Sequence, residues 1–283
     1  MKKLSLNGVF TALITPFKKQ KIDWESFQRL VQLQIRQGID GFVIAGTTAE
    51  SACLTQEEVK QLFLTAKKII QDQKPILVGT GSNSTEHAME LSQAAESWGA
   101  DGLLSVVPYY NKPPQRGLIQ HFTAIADSVK IPVVLYNVPS RTITSLELES
   151  IRMLSQHPQI IGIKEASGNI TFAKEIRKAC GPNFALLSGD DISWPDFYNA
   201  GGDGVISVAS HILPEAMKSR NILAYKDLIN FLFVESNPIP VKKALQLLGT
   251  IECAECRLPL VEMEAANSKK LEKLLVSSGL LKG

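Results

Sequence analysis

Lys164 is the residue of this chain that most needs a reason. It follows four strand-like residues in "IIGIKEASGN" (160–169), and lysine is rarely fully buried unless something pairs with it or uses it. Two readings are open. The ammonium group pairs with Glu165 or a loop carboxylate, or burial favours the uncharged amine. A neutral amine attacks a ketone to give an imine, an electron sink for carbon–carbon bond chemistry. Spacing alone does not choose between them. Tyr136, in "PVVLYNV" (132–138), is the natural companion. Its phenol can carry protons as a general acid/base, or it can be an aromatic plug with a hydrogen-bonded hydroxyl. Thr47 and Thr48 offer hydroxyls and amides that could hold a carboxylate, or could merely satisfy local backbone.

Other chemistries find less support. Of His87, His121, His157 and His211 only the last falls near a strand end, and no His/Asp/Glu ligand cluster emerges, so no catalytic metal is expected. "GTGSNS" is neither a dinucleotide fingerprint nor a P-loop. "GDD" (189–191) reads as a turn and helix start rather than a cation site. Lys and Arg number 30 against 28 Asp and Glu, a net charge of +2 with no basic run, which points away from nucleic acid and membrane surfaces. The start, "MKKLSLNGVFTALITPF", carries Asn7, Thr11 and Pro16 and makes a poor signal peptide. Cys53, Cys180 and the "CAEC" pair Cys253 and Cys256 lack the second pair or histidines of a zinc site. Reduced thiols in a cytoplasmic setting are expected.

Eight short apolar runs must position these residues: 8–17, 41–48, 75–82, 102–110, 132–138, 160–167, 184–191 and 204–211. They are near-continuous rather than alternating, as parallel strands covered on both faces read. Amphipathic helical segments separate them. "TQEEVKQLFLTAKKII" opens with Thr55 and Glu58 in a capping-box pattern, and "WESFQRLVQLQIRQG" stops at Gly38. The expectation is a (β/α)₈ barrel over 1–222, with an open doubly wound sheet as runner-up, followed by a small helical appendage over 223–283. In a barrel the active site lies at the C-terminal strand ends. Those ends carry Thr47 and Thr48, Gly79 to Gly81, Tyr109 and Tyr110, Tyr136, Lys164, Gly189, and Ser207 to His211.

The ordered motifs "GTTAES" (46–51), "VVPYYNKP" (106–113), "LYNVPSRT" (135–142), "IIGIKEASGN" (160–169), "LLSGDD" (186–191), "GVISV" (204–208) and "NPIPVK" (237–242) make the chain resemble, over nearly its whole length, the dihydrodipicolinate synthase family of pyruvate-dependent class I aldolases. The resemblance implies that Lys164 forms a Schiff base with pyruvate and that Tyr136 shuttles protons, linked through Thr47 to a Tyr110 reaching into a neighbouring subunit's site. Thr48 would bind the pyruvate carboxylate, Gly189 and Ile206 would line the pocket through main-chain atoms, and Arg141 would hold the carboxylate of L-aspartate 4-semialdehyde. The implied assembly is a homo-oligomer, at least a dimer, with dimers pairing into a tetramer. Relatives that cleave sialic or sugar acids generally lack the matching arginine, which makes that retro-aldol activity the alternative. A non-catalytic barrel binding a keto acid is the rival from another class.

Two departures stand out. Ala49 replaces the glycine usual in the family's GTTGES, tolerable if its backbone angle is ordinary. In the cleft where some relatives bind lysine as an inhibitor, Ser51, Ala52, Asn83 and Tyr109 fit the pattern, but Gln56 and His87 replace a histidine and a glutamate. Without that carboxylate the ligand's ammonium group loses a charge-assisted partner, so weak or absent lysine inhibition is expected.

Overall fold

The computed structural model describes residues 4–282; the first three residues of the start read above as a poor signal peptide lie outside the described residues. Eight parallel strands close into a barrel: β1 (Gly8–Ala12), β2 (Gly41–Ile44), β3 (Ile76–Gly79), β4 (Gly102–Val106), β5 (Val133–Asn137), β6 (Ile160–Glu165), β7 (Ala185–Ser188) and β8 (Gly204–Ser207). Each strand pairs with its sequence neighbours, and β1 pairs with both β2 and β8. The open-sheet alternative is excluded by that closure.

The unbroken apolar runs resolve into two alternating sets. Phe10, Val43, Leu77, Leu104, Val134, Leu187 and Ile206 fill the barrel interior. Val9, Phe42, Ile44, Val78, Leu103, Val133, Leu135 and Ile163 face outward into the layer shared with the helices. Both sets are removed from water, so neither face needs polar residues.

The strands are shorter than the runs suggest. β1 stops at Ala12, not Phe17; Pro16 has no N–H with which a ladder could run on to Phe17. Phe17–Lys18 instead forms a small hairpin with Lys21–Ile22. β2 ends at Ile44, where Ala45 turns to a φ of 55° and a 3₁₀ turn begins at Thr47. That turn, rather than a strand end, carries Thr47 and Thr48.

The helix caps follow local chemistry. Helix Gln56–Ile70 begins with the reciprocal Thr55–Glu58 box, and Asp23 caps helix Trp24–Arg36 through Ser26 N at 3.1 Å. Past β8 the segment 213–233 forms two short helices, Pro214–Ser219 and Lys226–Phe231, with Arg220 left-handed at φ 61° between them. Ile239–Leu247 and Ala265–Ser277 complete the C-terminal helices.

Candidate active site

Strand register puts the two reactive candidates side by side. β5 and β6 pair with Tyr136 opposite Lys164, and both side chains point into the barrel. Lys164 is 7% exposed, and its Nζ lies 4.1 Å from the centre of the Tyr136 ring. One position on, the chain alternates outward. Glu165 there accepts hydrogen bonds from Asn137 Nδ2 at 2.7 Å and Ser167 N at 2.6 Å. Asn137 Oδ1 in turn accepts from Leu146 N. The carboxylate that could have neutralised Lys164 thus faces the other side of the sheet and is satisfied there. Among the described residues Lys164 makes no ion pair.

Gly189 makes room for the amine's stem. A Cβ at that position would fall 2.9 Å from Lys164 Cε and 2.5 Å from Ala166 Cβ. Its own N–H is fixed on Glu165 O at 2.8 Å, so the loop after β7 cannot easily withdraw. Lys164, Tyr136, Thr47, Thr48 and Gly189 line one cavity of about 170 Å³, floored by Val43, Leu104 and Ile206. That is below the roughly 300–1,000 Å³ of sites for drug-sized ligands. Arg141 is exposed at its mouth, on the short helix Pro139–Thr142 that follows β5.

The Thr47–Ala49 turn is held by segments distant in sequence. Thr15 Oγ1 donates to Ala49 O at 2.9 Å, and Asn237 Nδ2 donates to Thr48 Oγ1 at 2.9 Å. Ala49 is buried with ordinary backbone angles, so its extra methyl is accommodated. The left-handed residue of the loop is its neighbour Glu50, φ 57°. Glu50 anchors a second buried lysine: Lys242 Nζ lies 2.6 Å from Glu50 Oε1, with side chains 0% and 1% exposed. Glu50 Oε2 also accepts from Arg257 N at 2.8 Å. Arg257 grips Glu58 with both terminal nitrogens and holds that carboxyl down at about 2. Among the described residues two lysines are therefore buried, one neutralised by a carboxylate and one not. The sequence reading missed Asn237, Glu50 and Lys242. The motifs "GTTAES" and "NPIPVK" contain them, but nothing in the spacing links the two.

A wider cavity, about 660 Å³, opens beside the first and shares Gly46, Thr47, Tyr136, Arg141 and Asn237 with it. Ser51, Ala52, Gln56, His87 and Tyr109 line it. Asn83 does not; its carbonyl accepts from Asn111 Nδ2. Tyr110 lines neither cavity. It is 88% exposed with a φ of 75°, so within one chain the expected link through Thr47 is not formed.

The remaining candidates are structural. His211 accepts from Ile14 N through Nε2 and contacts Val208 O through Nδ1, and burial lowers it to about 4. Burial likewise lowers His121 to about 4. Asp190 accepts from Ser193 N, and Asp191 accepts from Val208 N and Ala209 N, tying the β7 and β8 loops together. No group of side chains that could hold a metal ion occurs among the described residues. All four cysteines are free, and burial pushes Cys256 up to about 12. No helix among the described residues is long and apolar enough to cross a membrane.

Comparison with known proteins agrees with this geometry. The model of the dihydrodipicolinate synthetase family matches residues 5–278. A 4-hydroxy-tetrahydrodipicolinate synthase of Bdellovibrio bacteriovorus is 53% identical over 98% of this chain and 99% of its own length. The solved dihydrodipicolinate synthase of Acinetobacter baumannii, chloride-inhibited and complexed with pyruvate, superposes with a TM-score of 0.94 at 39% identity, covering 98% of this chain and 100% of that one. A dihydrodipicolinate synthase of Cyanidioschyzon merolae with lysine bound gives 0.93 at 39%, covering 97% and 99%. A closed parallel barrel with an unneutralised lysine against a tyrosine, matched over nearly its full length, makes this chain a member of the dihydrodipicolinate synthetase family.

Proposed function

We propose that the chain is a 4-hydroxy-tetrahydrodipicolinate synthase, a Schiff-base-forming lyase that condenses pyruvate with L-aspartate 4-semialdehyde in diaminopimelate and lysine biosynthesis. The observation that carries the mechanism is the pairing of Lys164 and Tyr136 in a small cavity with no carboxylate on the amine. The Lys164 amine adds to the pyruvate ketone, and loss of water leaves an imine. Tyr136 relays the methyl proton that converts imine to enamine. The enamine carbon then bonds to the aldehyde carbon of the second substrate, whose oxygen takes a proton. Finally the amino group of the second substrate displaces Lys164 from the imine carbon. This closes the ring and frees the lysine. No step draws on a metal or cofactor.

Thr48 holds the pyruvate carboxylate, Gly189 and Ile206 pack the ketone end through main-chain atoms, and Arg141 at the mouth takes the second carboxylate in its guanidinium fork. Tyr110 completes the proton path of Tyr136 and Thr47 in a neighbouring subunit. Its near-full exposure in the isolated chain supports this placement. The working unit is a dimer, and dimers pair into a tetramer in the cytoplasm. Residues 223–283 act as a helical appendage that braces the Thr47–Glu50 turn through Asn237 and Lys242.

The retro-aldol alternative is not favoured, since the mouth arginine suits a second carboxylate and the similar proteins are named synthases. Assaying both substrate sets on the unaltered enzyme and on Arg141→Ala tests the choice. The variant should lose affinity for the semialdehyde at least tenfold, the scale of a lost charge-assisted bond, and keep its response to pyruvate. Efficient sialic acid cleavage with no condensation would reverse the assignment.

A further inference from the structure

We infer that Asn237 is a positioning residue that commits the Thr48 hydroxyl to donating a hydrogen bond toward the anionic end of the substrate. The inference rests on the proposed role of the cavity as a keto-acid site. A threonine hydroxyl has one hydrogen and two lone pairs, and its hydrogen can turn either way. Here the choice is restricted. Asn237 Nδ2 donates to Thr48 Oγ1 at 2.9 Å, with both residues buried. In this orientation of the Asn237 amide the nitrogen offers only hydrogens, so the hydroxyl accepts on that side, and its own hydrogen is left to point elsewhere. Thr48 lines the cavity, and among the described residues nothing takes that hydrogen. A donor without a partner, facing a cavity, fits an anion.

Asn237 itself is held in a telling way. Its other end, Oδ1, is buried with no partner. A buried unpaired carbonyl is costly, and the side chain's one hydrogen bond goes to Thr48. The far end of the same turn is fixed independently, by Glu50 on Lys242 and on the Arg257 N–H. The turn cannot rotate to find the hydroxyl another acceptor without breaking that buried pair. The C-terminal segment, not the barrel, therefore sets which way the anion donor points.

Asn237→Asp tests this with a nearly isosteric change. A carboxylate accepts the Thr48 hydrogen, reverses the bond, and places negative charge beside the substrate's own. The expected result is a KM for pyruvate raised about ten- to hundredfold, the scale of a hydrogen bond to a charged group. The KM for the second substrate should stay within about twofold. At lower pH the new carboxyl binds a proton, can donate again, and the pyruvate KM should fall back toward that of the unaltered enzyme. A purely structural defect would not follow pH in this manner. Asn237→Ala, which removes the donor without adding charge, should raise the pyruvate KM about three- to tenfold and serves if the aspartate variant does not fold. An unchanged pyruvate KM in both variants, or an increase shared equally by both substrates and flat with pH, overturns the inference. The premise is checked separately by trapping pyruvate on the unaltered enzyme with borohydride. An absent adduct removes the functional reading and this inference with it, whereas a normal adduct beside an unchanged KM removes only the inference.

Discussion

Lys242→Met asks what the second buried lysine contributes. Methionine matches the length of the stem and can still lie on the Phe17 ring, over which the ammonium now sits at 4.4 Å, but it carries no charge. The partner cannot follow. Glu50 has a side chain 1% exposed and would keep only the Arg257 N–H on its other oxygen. Removing one member of a buried pair typically costs about 3–5 kcal/mol, because an uncompensated charge stays behind. For a chain of this size each kcal/mol lowers the melting temperature by about 2–4 °C, so a fall of roughly 6–20 °C is expected. The double variant Lys242→Met with Glu50→Gln should recover part of it, since the stranded charge is gone. Thermal melting of all three proteins at one concentration, followed by far-UV circular dichroism, decides the matter. A single variant melting within about 2 °C of the parent, or a double variant less stable than the single, would refute the claim that this pair is buried and neutralised.

Gly189→Ala should fold with a penalty of about 1–3 kcal/mol for overpacking and lose most activity, because its methyl occupies the space of Lys164 Cε. Steady-state rates near those of the parent would contradict the fit. His121 and His211, both held neutral with values lowered to about 4, bind protons in the unfolded chain below their ordinary 6.5 but not in the folded one. Their stabilising contribution is complete above pH 6.5 and declines as pH falls toward 4, by on the order of 3 kcal/mol each. Denaturant titrations at pH 7 and pH 4.5 should show that loss, and a flat profile would count against burial of the two rings. Lysine at millimolar concentration should leave turnover nearly unchanged, given Gln56 and His87 in the lateral cavity. Strong inhibition would mean that other groups bind its ammonium end.

The barrel was legible because strands covered on both faces write their burial directly into sequence as unbroken apolar runs. The ends of those runs misled, since apolar residues continue past the last ladder bond into Leu13 and Ile14 and into the hairpin at Phe17. Lys164 could be singled out because a charge closing an interior strand contradicts its surroundings. Whether Glu165 pairs with it was not legible. The pleat turns Glu165 outward onto Asn137. Lys242 was invisible for the opposite reason. In "PVKKALQLL" it stands beside Lys243 on an amphipathic helix, and only a partner 192 residues away makes one of the two a core residue. Asn237 depends on a contact spanning 189 residues in the same way.

The most direct measurement is the mass of the protein after incubation with pyruvate and borohydride, followed by peptide mapping. A single reduced pyruvate adduct on the peptide carrying Lys164, with Lys242 unmodified, is the predicted result. An adduct on another lysine, or none while condensation proceeds at full rate, would contradict the mechanism.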